Sequence, residues 1–200
     1  MSATDRTSQR VAELIDRLSR LTRELQYVDG LNPAQWEALR FISRANRYSR
    51  TPSALAEFLG TTKGTTSQTL IALENRGFIR RVRDTNDRRV INLELTDQAT
   101  DLLTGDPVLK IETMVDQLGP ETGATLVRGL SRLLRDMQRE VGAKEFGVCE
   151  LCSQFQCAET AGQGPRGQRC GLTGENMGES DLNRICVNFK STEDAGEKAV

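Results

Sequence analysis

Five cysteines, all beyond residue 148, are the most reactive side chains in the sequence: Cys149, Cys152, Cys157, Cys170 and Cys186, spaced C-x2-C-x4-C-x12-C-x15-C. No histidine occurs in the 200 residues. That excludes imidazole ligands, histidine general bases and Cys–His dyads. Thiols clustered in a chain expected to be cytoplasmic point to metal or redox chemistry, not to a disulfide framework. Cys149 and Cys152 form the chelating pair, because two intervening residues let both thiolates face one ion while the turn N–H groups soften their charge. Cys170, followed by Gly171 in a turn, and Cys186 complete the expected four-thiolate site. Cys157 sits in Gln-Cys-Ala-Glu without turn residues and is left as the spare. Four thiolates suit zinc or an iron–sulfur cluster. Zinc is placed slightly ahead, although its usual signature is two C-x2-C pairs and the second half here is split. The C-x2-C-x4-C run reverses the plant-type ferredoxin order. Metal-free redox thiols are the third reading.

A second concentration is cationic. The whole chain carries 27 Lys and Arg against 28 Asp and Glu, a net charge of −1. Residues 1–100 hold 16 basic and 12 acidic groups (+4), and residues 101–200 hold 11 and 16 (−5). Between Arg76 and Arg89 lie six arginines (Arg76, Arg80, Arg81, Arg83, Arg88, Arg89) against two acids, Asp84 and Asp87. Such density marks either an anion-binding site or a solvated hairpin, while the rest of the chain keeps the protein soluble.

These groups must be positioned by elements legible in the hydrophobic pattern. Residues 8–28 read as a helix with Val11, Leu14, Ile15, Leu18, Leu21, Leu25 and Val28 on one face. Gly30 ends it, and Pro33 opens a helix over 33–46 with Trp36, Leu39 and Ile42. Thr51 as N-cap and Pro52 at the first helical position start a short helix through Leu59. After Gly60, Thr61 or Thr62 caps a helix to about Asn75. Its first turns, Lys63-Gly64-Thr65-Thr66-Ser67-Gln68-Thr69, have no apolar residue, and Leu70, Ile71 and Leu73 anchor its second half.

The arginine-rich run Phe78–Arg83 and the alternating run Arg89–Leu95 form the arms of a hairpin around a polar turn. A helix from Thr96-Asp97 is interrupted at Gly105-Asp106-Pro107 and resumes to Leu118; Pro120 begins the last long helix, which Gly142 ends. The stripes of the first and last helices exceed what the unit between them can cover. They pack on each other or on a second subunit. The expected fold is mainly α with a small β-hairpin wing, a winged helix-turn-helix flanked by the N- and C-terminal helices. Residues 1–145 form that domain, 146–190 a small Cys-rich metal-binding module, and 191–200 a polar tail expected to be disordered.

A short helix, a tight turn, a helix with an exposed polar front half and an arginine hairpin together fit DNA. Gln68 can pair bidentately with adenine in the major groove. Thr65, Thr66 and Ser67 can reach phosphates or base edges, and Lys63 can meet a phosphate beside free backbone N–H groups. The hairpin, with Arg83, Arg88 and Arg89, would reach the adjacent minor groove, where arginine is favoured.

Residues 10–142 resemble the MarR family of winged helix-turn-helix transcription regulators. The resemblance is carried by Leu31–Trp36, Leu55–Leu59, Thr62–Leu70, Leu73–Ile79 and Asp87-Arg88-Arg89-Val90 leading to Leu93-Glu94-Leu95-Thr96. It implies that Arg89 enters the minor groove while Asp87 steadies the wing. It also implies a homodimer on a pseudo-palindromic double-stranded operator, and a repressor. Relatives of this type often sense small phenolic or lipophilic effectors. Trp36, Phe41 and Met114 could line such a pocket, though core packing is the preferred role for them.

Other classes fit less well. No apolar run approaches the roughly 18 residues of a membrane span, and the mean hydropathy is −0.47. The start, MSATDRTSQR, has no apolar segment behind it, so no secretory leader is expected. An enzyme using the cysteine site would lack histidine, a phosphate-binding glycine loop and a cofactor fold. A winged helix that binds another protein is disfavoured by the arginine wing and the hydroxyl-rich helix.

Overall fold

A computed structural model describes residues 3–85, 87–158 and 167–192. The N-terminal helix α1 (Ala3–Leu25) starts five residues before the expected position. Helix α2 (Pro33–Arg44) opens on a capping box. Asn32 Oδ1 accepts from the Gln35 N–H, and Gln35 Oε1 accepts from the Asn32 N–H, both at 3.0 Å. The pair satisfies two N–H groups that a helix start otherwise leaves orphaned.

Helix α3 (Pro52–Leu59) is capped by Thr51 and closed by Gly60 in the left-handed region. Helix α4 (Lys63–Asn75) is capped by Thr62, whose hydroxyl accepts from the Thr65 N–H. It ends where Phe78 N–H bonds Leu73 O and Gly77 takes a positive φ of 74°. Strands β1 (Ile79–Arg83) and β2 (Ile91–Leu95) then pair antiparallel, with Ile79 opposite Leu95 and Arg83 opposite Ile91. Thr96 caps α5 (Asp97–Leu103), and its hydroxyl also donates to Gly77 O at 2.7 Å, tying the wing base to the end of α4.

One buried cluster holds this lobe together. Trp36, Leu39, Phe41 and Ile42 of α2 meet Leu55 of α3, Leu70 and Leu73 of α4, and Ile79 and Leu93 of the wing. Each such fully buried side chain contributes about 1.5–3 kcal/mol. Ile71, expected among the core contacts, faces outward. Trp36 and Phe41 are core residues, whereas Met114 is 60% exposed.

The chain break expected at residues 105–107 falls between α5 and α6 (Leu109–Asp116). There Asp106, buried, accepts from Arg40 Nη1 and from the Val108 N–H, each at 2.9 Å. Helix α7 (Pro120–Glu140) follows. None of α1, α6 or α7 contributes a residue to the buried cluster. Their apolar stripes stand open in the single chain, with Leu18 and Leu21 each 61% exposed.

From Phe146 the chain builds a further layer that packs on the lobe through Phe146, Ile185 and Val187. It has a 3-10 turn at Cys149–Leu151, strands β3 (Phe155–Ala158) and β4 (Gly167–Cys170) paired antiparallel, and a short helix α8 (Glu179–Leu182). Two glycines permit its close approaches. A Cβ on Gly147 would lie 2.5 Å from the Phe189 ring, and one on Gly171 would lie 2.8 Å from Gln154 O. The layer runs past the expected boundary at 190: Ser191 is buried and bridges Cys152. The expected disorder of the tail otherwise concerns residues 193–200, which lie outside the described residues.

The layer is sewn to the loop joining α2 to α3. Ala45 and Ile185 form a parallel bridge, Ile185 N–H bonds Arg44 O at 2.8 Å, and Asn46 N–H bonds Ile185 O at 2.9 Å. Val187 N–H bonds Ser49 Oγ at 2.8 Å, and Arg184 Nη1 donates to Ser43 O at 2.7 Å. Phe146 stands edge-on to Phe58 and Phe41, with ring centroids 5.2 and 6.4 Å apart.

Candidate nucleic-acid interface and cysteine pocket

Helix α4 is fixed at its back by Leu70 and Leu73 and packs against β1, so its front turns are presented at the surface. Lys63, Thr65 and Gln68 are exposed there, and Ser67 is half-buried. Thr66 does not belong with them. It is 1% exposed, and its hydroxyl lies 2.9 Å from that of Thr61. The expectation that Thr66 touches DNA is corrected on that ground: it locks the α3–α4 turn from inside. The sequence held a sign of this, since residues 66, 70 and 73 fall on one helical face.

The six arginines divide into two sets. Arg76 donates to Gly30 O and Asp29 O, Arg80 pairs with Glu94 at 3.6 Å, and Arg81 pairs with Glu74 at 3.3 Å. These brace the lobe. Arg83, Arg88 and Arg89 are exposed and, among the described residues, carry no ion pair. Asp87 Oδ1 accepts from the Arg89 N–H at 3.0 Å, which holds the wing turn closed. Asp84, which the sequence reading left without a role, does more. Its Oδ1 accepts from the Asp87 N–H at 3.1 Å, and its Oδ2 accepts from Asn92 Nδ2 at 3.0 Å. The tip arginines therefore project from a turn fixed by two carboxylates. A polar helix front and an adjacent cationic arm make one surface with the chemistry for base edges and phosphates.

Residues 29–90 match a family model described as MarR family. That segment of the chain is similar to the MarR family. Over 89 residues it is 32% identical to YfiV of Bacillus subtilis (strain 168), described as an uncharacterised HTH-type transcriptional regulator; the match takes in 43% of this chain. The chain spans only 56% of that relative's length. Among solved structures, the transcriptional regulator BldR from Sulfolobus solfataricus superposes with a TM-score of 0.53 at 21% identity, covering 68% of this chain and 99% of that one. FabT of Streptococcus pneumoniae, solved in complex with DNA, gives 0.52 at 22% identity over 68% and 98% of the two chains. The S. aureus MepR–DNA complex gives 0.52 at 23% identity over 62% and 96%. These likenesses show the fold alone, a winged helix.

Beside the α2–α3 loop, four of the five thiols line one cavity. Cys149, Cys152, Cys170 and Cys186 line it together with Phe155, Leu172 and Met177 of their own layer. Asn46 and Tyr48 of the α2–α3 loop line it from the other side. Cys157, opposite Gln168 on the β hairpin, is exposed and takes no part. The four cysteines expected to act as ligands thus line this cavity, and the fifth lies outside it. No group of three Cys, Asp or Glu among the described residues is gathered tightly enough to grip a single ion.

Burial, then the neighbouring thiols of Cys186, Cys152 and Cys170, push the Cys149 thiol up to about 11. Burial also raises the Cys170 thiol, but bonds from the Thr173 backbone and hydroxyl and from the Leu172 backbone outweigh it and set it below the ordinary value. Asn46 and Tyr48 could not be found from cysteine spacing, because they lie in a distant part of the chain. Among the described residues no helix is long and apolar enough to cross a membrane.

Proposed function

We propose that the chain is a sequence-specific double-stranded DNA-binding transcriptional regulator of the MarR type, acting in the cytoplasm as a repressor, and not an enzyme. The carrying observation is the pairing on one surface of a polar helix front (exposed Lys63, Thr65 and Gln68, half-buried Ser67) with three exposed arginines, Arg83, Arg88 and Arg89, that form no ion pair among the described residues. Exposed arginines beside a protruding helix supply the phosphate attraction that dominates DNA affinity. Two neighbours of the same fold were solved on DNA, which supports the reading.

A homodimer is the working unit. The open stripes of α1 and α7, including Leu14, Leu18, Leu21, Leu130, Leu134 and Met137, exceed the apolar surface that a lone soluble domain leaves in water. A second copy covers them symmetrically. The C-terminal layer modulates binding through a thiolate-held metal or redox centre.

The test is selection of duplexes from a random library by the full chain, followed by affinity against salt. Enrichment of a two-fold symmetric site, with affinity falling steeply as salt rises, is expected. Absent or salt-independent DNA binding would instead favour a winged helix that docks on protein.

A further inference from the structure

The cysteine cavity shows more than a set of thiols. Its wall contains an amide with nothing to bond. Asn46 is 0% exposed, and its Nδ2 has no hydrogen-bond partner among the described residues. The orientation of that amide is fixed, because Oδ1 already accepts from Ser49 Oγ at 2.7 Å and from the Tyr48 N–H at 3.2 Å. A buried N–H left without an acceptor costs about 1–3 kcal/mol, and native structures supply one. Polar Gln154, Thr173 and Asn188 also line this cavity, but among the described residues none of them accepts from Nδ2, which leaves the four cysteine sulfurs as the chemistry beside it.

The two metal classes differ in how far apart they hold four thiolates. Zinc places every sulfur about 2.3 Å from one centre, so the four crowd together. A cluster seats each thiolate on iron of its own and adds sulfide acceptors between them. The four thiols here line one cavity without three of them, among the described residues, gathering on one point. That spacing fits the larger group.

We propose that the cavity holds an iron–sulfur cluster on Cys149, Cys152, Cys170 and Cys186, with Asn46 Nδ2 donating to a cluster or cysteine sulfur, and that the cluster clamps the α2–α3 loop. The clamp follows from connectivity. Cys186 comes directly after Ile185, whose N–H and C=O bond Arg44 and Asn46, and directly before Val187, whose N–H bonds Ser49. Arg47 adds ion pairs to Glu175 at 3.0 Å and to Asp181 at 3.5 Å. Fixing Cys186 in a cluster therefore fixes the strand segment that holds residues 44–49. The proposal specifies the metal centre of the reading above and stands independently of DNA binding.

The experiment uses full-length protein purified without oxygen. Visible absorption, iron and acid-labile sulfide are measured on the wild type, Cys157→Ser, Cys170→Ser and Cys186→Ser, with circular dichroism to confirm that the helical lobe is folded. Iron and sulfide retained by the wild type and Cys157→Ser, and lost by the other two, are expected. Colourless wild type carrying zinc overturns the cluster, and retention by Cys170→Ser or Cys186→Ser overturns the ligand set. Hydrogen exchange then compares loaded and chelator-stripped wild type at the amides of Asn46, Ile185 and Val187. Protection falling about tenfold or more on stripping is expected. Equal exchange overturns the clamp. Both readouts need no DNA, so a failure to bind any duplex would count against the regulator reading alone.

Discussion

Replacing Arg89 by Ala tests the wing without disturbing the fold. Its side chain is exposed and, among the described residues, makes no ion pair, so its loss changes stability by about 0.5 kcal/mol or less. Its contribution is read in the salt dependence. Each phosphate-field contact adds about −0.9 to the slope of log affinity against log salt. A symmetric dimer carries Arg89 twice, so the variant's slope is shallower by about 1.8. Between 50 and 200 mM salt, about 0.6 log units, the affinity ratio of wild type to variant then shrinks about tenfold. A monomer would lose one contact, and the ratio would shrink only about three- to fourfold. Arg81→Ala is the internal control, because its guanidinium is engaged by Glu74 at 3.3 Å and is not delivered to DNA. The assay is fluorescence anisotropy on a selected duplex at four salt concentrations. Parallel lines for Arg89→Ala and wild type, or an equal change for Arg81→Ala, would refute the division of the arginines into bracing and binding sets.

Three further substitutions separate structural from binding roles. Thr66→Val removes the buried hydroxyl contact to Thr61 and should lower unfolding free energy by about 1 kcal/mol in urea, with the salt slope of DNA binding unchanged. Asp106→Ala strands Arg40 in a largely buried position and uncaps the approach to α6, lowering stability by about 2–4 kcal/mol by denaturant midpoint. Gly171→Ala drives a Cβ to 2.8 Å from Gln154 O, so the Cys170 turn must shift. That should cost about 1–3 kcal/mol locally and reduce the metal or iron retained per chain, measured by elemental analysis on protein with unchanged helical dichroism.

The lobe was legible because its signals are local. Asn32 before Pro33, Thr51 before Pro52 and Thr62 ahead of Lys63 each announce a helix start that the structure uses as a cap. Alternation at Ile91, Leu93 and Leu95 gives the strand, whose partner follows from the short turn. Thr66 was misread because polarity was taken as exposure, whereas its spacing from Leu70 and Leu73 puts it on the buried face. The six arginines could not be sorted from the sequence, since Glu74 and Glu94 meet Arg81 and Arg80 across the lobe and hairpin. The seat of the cysteine layer was invisible for a different reason. It is held largely by backbone bonds to residues 44–49, and backbone groups carry no residue signature.

On the proposed function, that seat would couple DNA affinity to the cysteine site. The loop it holds ends at Thr51, the N-cap of α3, and Arg50 O within it accepts from the Leu93 N–H at 2.7 Å, in the middle of β2. Residues 44–50 thus touch the cysteine layer on one side and both α3 and the wing on the other. A loop released from Ile185 and Val187 gains conformational freedom at about 1–2 kcal/mol per residue, and ordering it again on DNA subtracts from binding. Even one residue's worth lowers affinity about fivefold to thirtyfold. Metal-stripped protein should therefore bind its duplex at least about fivefold more weakly than loaded protein. Arg47→Ala, which cuts the ion pairs to Glu175 and Asp181 without touching a thiol, should narrow that difference by weakening the loaded form. Loaded and stripped protein binding DNA equally, with the loop amides exchanging at different rates, would show that the clamp braces the fold and carries no signal to the wing.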